Sequence, residues 1–318
     1  MRLDEIPLGF LRAVAIVFGL LWGSFLNVVI YRVPRDMSVV TPPSHCPSCG
    51  KPVKPYDNIP ILSFLILRGR TRCCNTKMSI RYPIVEALGG LAAWACLSAA
   101  LRSLPPEAEL WRVCALFLVD FALALGLIAA AFIDAEHMIL PDSITIGGAI
   151  LGLATASLRG IGFGQSILGA AVGFLGVYLP FILIYKAIRG YAGMGLGDAK
   201  LLALAGAWFG WPGALFVFIG GAMQGSVGTI ILYALGAKLE EPESVKKDRE
   251  ELEKLAAEGD EEAKQLLVDD PVMNEAAQGK PKIPFGPFLI LACLECLLAG
   301  DWLLAKAMSW MDPGQGFS

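Results

Sequence analysis

The chain repeatedly lays out long stretches with almost no charge. Mostly apolar runs lie near 13–31, 83–103, 113–133, 143–158, 165–188, 199–211, 213–236 and 284–309. A helix needs about 20 such residues to cross the hydrocarbon core of a bilayer. Composition agrees: hydrophobic types make up 55% and charged types 17% of 318 residues, where a soluble domain carries roughly 25% charge. A disordered chain and an ordinary soluble enzyme are excluded. The predicted fold is an all-α polytopic membrane protein with about eight transmembrane helices. The runs near 199–211 and 213–236 are separated only by the turn Trp208-Phe-Gly-Trp-Pro-Gly213. The first run is too long for a cleaved signal peptide and has Arg12 at its front, so it reads as a permanent anchor.

Orientation follows from Lys and Arg in the loops. After the first run come Arg32, Arg35, Lys51, Lys54, Arg68, Arg70, Arg72, Lys77 and Arg81, opposed only by Asp36 and Asp57. That side is predicted to be cytoplasmic. Counting onward, the loops near 134–142, 189–198 and 238–283 share it, and both termini lie outside. The expected organisation is a first membrane helix (1–31), a cytoplasmic cysteine-bearing loop (32–82), a membrane core (83–237), a charged cytoplasmic insertion (238–283) and a last membrane helix with the C-terminus (284–318). Within the insertion, the stretch Glu250 to Glu258 reads as a solvated helix, and the insertion itself as a docking surface or a solvated connector. No nucleotide-binding fingerprint occurs, and no nucleic-acid partner is expected.

Acidic residues in or beside a membrane helix are expensive and therefore candidates for function. Asp134 ends the third run in Ile133-Asp-Ala-Glu-His-Met-Ile-Leu-Pro-Asp142. There Pro141 stops the helix, and Asp142 is expected to cap the next. Asp198 opens the sixth in Gly193-Met-Gly-Leu-Gly-Asp198, where the glycines allow close backbone approach and positive φ. The topology puts Asp134 and Asp198 at one depth on the cytoplasmic side. Two carboxyls brought within a few Å share one proton. The ionised partner can take a proton from water while the protonated one polarises a peptide carbonyl. The alternative is a pair of helix caps. Asp120 lies about 21 Å before Asp134 on the same helix and is a poor rival. Glu295 reads as a structural hydrogen-bonding group, His137 as an interfacial polar residue, and Glu86 as a possible functional carboxyl beside the basic loop.

Cys46-Pro-Ser-Cys49 is a half-site for structural zinc, since two thiolates at this spacing reach one tetrahedral ion. A cytoplasmic loop disfavours disulfides. Cys293 and Cys296 have the same spacing but fall inside the last helix, where thiols act as small apolar packers; Cys96 and Cys114 read the same way.

Taken in order, seven blocks resemble the bacterial type IV prepilin peptidase family: Gly23-Ser-Phe-Leu-Asn-Val-Val-Ile-Tyr-Arg32, Cys46-Pro-Ser-Cys49, Tyr56-Asp-Asn-Ile-Pro60, Arg81-Tyr-Pro83 with Glu86, Asp134 with Leu140-Pro-Asp142, Gly195-Leu-Gly-Asp198 with Lys200, and Pro284-Phe-Gly-Pro287. They span nearly the whole chain. The resemblance implies a bifunctional enzyme of type IV pilus and type II secretion systems in the bacterial inner membrane. Such an enzyme removes the basic leader of prepilins and pseudopilins after a glycine, at the cytoplasmic face. It then methylates the new N-terminal amine with S-adenosylmethionine. The implied catalytic pair is Asp134 and Asp198. The family supplies a second Cys-x-x-Cys, which alignment on Arg81-Tyr-Pro83 places at positions 71 and 74. Here they are Thr71 and Cys74, with Cys73 between. Either Cys73 completes a zinc site with Cys46, Cys49 and Cys74, or only three thiolates remain, or the metal is lost; His45 is a further candidate ligand. Asn27, Arg32, Asp57 and Glu86 are candidates for the methyl-donor region. The alternatives are a cleavage-only peptidase and a non-catalytic assembly or ion-transport protein.

Overall fold

The computed structural model describes residues 3–46, 48–236, 242–270, 272–273 and 284–311. The expected ends of the insertion at 238 and 283, and the tail beyond 311, lie outside the described residues. Among the described residues the structure is helical, with no strand and only two isolated bridges, His45–Pro52 and Arg70–Lys77. The chain divides into two compact units, Met1–Ala129 and Ala130–Ser318.

In the first unit, helix α1 (Leu8–Arg32) packs along α3 (Arg81–Ser103), and the cysteine loop with the short α2 (Leu62–Ile66) runs between them. Small residues let the two long helices meet backbone to backbone: a Cβ on Gly23 would lie 2.8 Å from the Cα of Glu86. The first part of α4 (Leu110–His137) joins them, with Phe18 meeting Phe117 and Phe121 at ring-centroid distances of 6.2 and 5.7 Å. Buried polar groups hold the loop to these helix ends. Arg32 donates to the carbonyls of Ser38 (2.8 Å) and Pro42 (2.7 Å), and Asn27 Nδ2 donates to that of Tyr82 (3.2 Å). Glu86 Oε2 accepts from the N–H of Ile61 at 2.6 Å.

In the second unit, α5 (Asp142–Ala154) and α6 (Phe163–Val177) pack on α8 (Leu196–Ala234), as does α11 (Gly286–Met311). Helix α6 continues through a wider-wound segment, Tyr178–Ile184, into α7 (Tyr185–Arg189). Unbroken, the 39 residues of α8 would run about 58 Å, far more than a bilayer core. They are interrupted at Gly210, whose φ of 70° and ψ of −178° only glycine adopts readily, and at Pro212, which has no N–H to donate. The carbonyls released there are re-satisfied. Ser166 Oγ donates to Ala207 O at 2.5 Å, and Arg159 donates to Trp208 O while lying 4.2 Å over the Trp208 ring; Arg159 also donates to Gly152 O on α5 (2.5 Å).

Each of the eight apolar runs coincides with a helix or half-helix. Five helices are long and apolar enough to cross a membrane: Leu8–Arg35, Arg81–Ser103, Leu110–His137, Phe163–Arg189 and Leu196–Ala234. Length and apolarity alone thus give fewer than eight, because Asp142–Ala154 and Gly286–Gly300 are short and two runs join in α8. The insertion forms a helical hairpin, α9 (Glu243–Ala257) and α10 (Glu261–Asp269), with Asp260 capping α10. It is no loose connector: Val245 and Ala263 are buried, Ser244 donates to Glu136 O, and Lys186 pairs with Asp269 at 2.9 Å.

Candidate functional site

Asp134 lies one turn before the end of α4 and is 6% exposed. Its Oδ2 makes no hydrogen bond. Asp198 lies in the first turn of α8, half-buried, where the helix dipole favours a negative group. The two carboxyls are close enough to act electrostatically on one another. The structure therefore brings together the pair that the sequence singled out.

The glycines make this possible by proximity and not by unusual backbone. Gly193, Gly195 and Gly197 do not adopt positive φ; Gly195 is extended at φ −69°, ψ 145°. A Cβ on Gly197 would come within 3.0 Å of Leu140 Cβ, so the start of α8 can close on the Leu140 segment only without a side chain there. Gly286 completes the site from α11. A Cβ there would collide with Asp134 Oδ2 and lie 3.3 Å from Leu140 Cδ2. Leu140 is thus the apolar wedge between two glycine contacts, one beside each aspartate.

Asp142 corrects the expectation of a cap. It is the first residue of α5, preceded by Pro141, and makes no capping bond. Its carboxylate instead receives Lys200 Nζ at 2.6 Å, joining the start of α5 to that of α8. Glu295 accepts from Gln224 Nε2 at 2.8 Å, a structural role as expected. Asp120 is buried in the first unit. Cys293 and Cys96 are buried packers, whereas Cys114 is exposed.

The four loop cysteines form a second site. Their sulfurs all lie within 4.8 Å of one another. Cys46 and Cys74 are 3.6 Å apart, Cys49 and Cys73 3.4 Å, and Cys73 and Cys74 3.8 Å. Four sulfurs placed tetrahedrally at about 2.3 Å from one ion are about 3.8 Å apart, so the set fits a zinc cage. Two turns of matching register build it. In the first, the bridge His45–Pro52 encloses Cys46 N–H to Lys51 O (2.8 Å) and Gly50 N–H to Cys46 O (2.9 Å), with Gly50 at φ 70°. In the second, Arg70–Lys77 encloses Thr71 N–H to Thr76 O (2.8 Å) and Asn75 N–H to Thr71 O (2.9 Å), with Asn75 at φ 57°. Thr71 therefore occupies the place of Cys46, and Cys74 that of Cys49. Cys73 brings the fourth sulfur from the neighbouring position, and the Thr71 hydroxyl hydrogen-bonds Cys74 Sγ at 3.2 Å. His45 stays outside the cluster, its Nδ1 3.2 Å from Pro43 O.

As thiols, Cys46, Cys73 and Cys74 differ. The Thr71 and Thr76 hydroxyls pull Cys74 down to about 6, and the N–H groups of Cys49 and Ser48 lower Cys46. Hydrogen bonding with Cys49 pushes Cys73 up to about 12. A cation among them would ionise all four. Of the candidates for the methyl-donor region, Asn27, Arg32 and Glu86 hold the loop as described, and Asp57 pairs with Arg72 at 2.9 Å. Sequence reasoning assigned no role to Gly286 or Leu140. The available signal was a glycine between two prolines at the start of an apolar run.

One buried and one half-buried carboxyl at helix ends within an apolar bundle form an arrangement that can carry acid–base hydrolysis in a membrane protein. Residues 17–100 match the bacterial peptidase A24 N-terminal domain, and residues 121–230 match the type IV leader peptidase family. The chain is 39% identical to a prepilin leader peptidase/N-methyltransferase of Myxococcus xanthus, covering 90% of each chain. It is 32% identical to that of Stutzerimonas stutzeri (96% of each) and 31% to that of Pseudomonas aeruginosa (93% of this chain, 92% of the relative). No solved structure matches. The chain belongs to the type IV leader peptidase family.

Proposed function

We propose that this chain is an inner-membrane prepilin leader peptidase that also methylates the N-terminus it uncovers. One observation carries the reading: the carboxyl of Asp134, set against the bare backbone of Gly286, lies close enough to that of Asp198 on another helix to act on it electrostatically. The pair works with one proton between them. The ionised carboxyl takes a proton from water as its oxygen attacks the peptide carbonyl, and the protonated one donates to the carbonyl oxygen. Collapse of the adduct passes a proton to the leaving amine, which departs as the mature N-terminus. S-adenosylmethionine would supply the methyl group to that amine in its neutral form, its methyl–sulfur bond breaking as the carbon–nitrogen bond forms and the thioether S-adenosylhomocysteine leaving.

The substrates are type IV prepilins and pseudopilins, and lipid is the solvent for both partners. The basic loop after α1 supports a site facing the cytoplasm. Eight spans follow if α5, α11 and the two parts of α8 each cross the membrane. The division at 31, 82, 237 and 283 is retained as the working domain map. Zinc held by Cys46, Cys49, Cys73 and Cys74 is structural and fixes the two loop turns against each other.

The test is to incubate the purified protein with a prepilin and S-adenosylmethionine and weigh the product. Loss of the leader together with a gain of one methyl mass supports the reading. Loss of the leader alone identifies a cleavage-only peptidase. An uncut prepilin refutes the proposal.

A further inference from the structure

The short helix α2 in the cysteine loop is inside out. Leu62, Leu65 and Ile66 are spaced to share one face of it, and they are 51, 63 and 67% exposed. Ser63 points the other way and is 8% exposed: its hydroxyl donates to Tyr56 O (3.1 Å) and accepts from the N–H of Ile59 (3.0 Å). A helix with its apolar face out and its polar group in is unsuited to water and suited to lipid. Its depth agrees. The N–H of Ile61, just before α2, donates to Glu86 Oε2 at 2.6 Å. Glu86 follows Arg81, the first residue of α3, by about 7.5 Å along that helix. Helix α3 is long and apolar enough to cross a membrane. The hydrogen bond therefore holds the start of α2 level with the first turns of α3, where a spanning helix enters the bilayer.

Charge says which lipid. From Ile59 to Ile80 the chain has no Asp or Glu. Arg68, Arg70 and Lys77 follow α2, all exposed, and none pairs with a carboxylate among the described residues. The backbone bridge between Arg70 and Lys77 sets these two side chains on one side of their turn. Arg72 differs, being neutralised by Asp57 at 2.9 Å. We propose that α2 and the turn after it form an interfacial anchor, with Leu62, Leu65 and Ile66 in the edge of the hydrocarbon and Arg68, Arg70 and Lys77 against the headgroups of anionic phospholipid. Each such base favours contact with an anionic leaflet about fivefold. A second copy of the chain is a poor occupant, because a two-fold contact on this face would set the unpaired bases against themselves.

The test places a dansyl-bearing amino acid at Leu65 of the full-length protein, reconstituted into phosphatidylcholine vesicles with or without phosphatidylglycerol. With phosphatidylglycerol the emission should be blue-shifted and quenched by lipid carrying a nitroxide near the top of its acyl chain. Without it, the quenching should be weaker. In the anionic vesicles, raising salt from about 0.05 to about 0.5 M should reduce the quenching. Arg70→Gln with Lys77→Gln should do the same, lowering the ratio of docked to undocked loop about fivefold for each base removed. The salt series needs no substitution and decides the matter if the double variant fails to fold. Equal quenching in both vesicles, unmoved by salt, overturns the choice of anionic lipid. Blue-shifted emission that no lipid nitroxide quenches means that protein covers the face, and overturns the proposal, as does emission typical of water in every vesicle.

Discussion

Alanine at Gly286 should disable this protein before it unfolds it. The new Cβ would stand 2.8 Å from Asp134 Cγ and 3.3 Å from Leu140 Cδ2, where carbon atoms ordinarily rest about 3.5–4.0 Å apart. Either the carboxyl retreats by about 1 Å or the start of α11 lifts away. Overpacking of this kind costs about 1–3 kcal/mol of stability. A displacement of about 1 Å in a reacting group costs about 10²-fold in rate. Initial rates of leader removal at saturating prepilin should therefore fall about 10²-fold, while KM changes by only about two- to threefold and unfolding in detergent shifts by a few degrees. Gly220→Ala is the control. It faces α11 through Ala292 at an ordinary 3.4 Å and should leave the rate unchanged. Full activity in Gly286→Ala would refute the claim that this glycine sets the position of Asp134.

The cysteine turns give a second prediction: Cys73→Ser should lose zinc by elemental analysis, and adding Thr71→Cys should restore it, because position 71 matches that of Cys46. In chelator-treated protein near pH 7, Cys74 should be alkylated before Cys73, since a thiol pulled to about 6 is ionised there and one pushed to about 12 is not. Peptide mapping after brief iodoacetamide treatment reads the order, and equal labelling would contradict it. Arg159→Met should lower stability by about 2 kcal/mol, because the carbonyls of Trp208 at the α8 break and of Gly152 near the end of α5 lose their donor. Thermal unfolding in detergent would show this, and an unchanged midpoint would count against the cap.

The helices were legible because an apolar run in lipid has few alternatives, and each run expected from hydropathy holds a helix. Their number as spans was not, since the Gly210 and Pro212 break reads as a turn in sequence and as an interruption within a longer helix in the structure. That Asp134 and Asp198 lie near one another was foreshadowed because carboxyls are costly in or beside an apolar helix and stand out in such a sequence. Gly286 and Leu140 were not, because a glycine's effect lies in what its missing Cβ would strike, which only packing reveals. The glycines near Asp198 were read correctly for close approach and wrongly for positive φ. Asp142 was read as a cap, yet Pro141 already fixes the entry to α5 and frees the carboxylate for Lys200. At the cysteine loop, the missing ligand at 71 was visible, but the register by which Cys73 replaces it needed both turns.

The most direct measurement of the central claim is prepilin cleavage by Asp134→Asn and by Asp198→Asn, each purified as a folded membrane protein. Asparagine keeps the shape of each side chain and removes its acid–base chemistry. Each variant should leave the leader attached under conditions where the unsubstituted protein removes it completely. Removal of the leader by either variant at the unsubstituted rate would contradict an aspartic pair at the ends of α4 and α8.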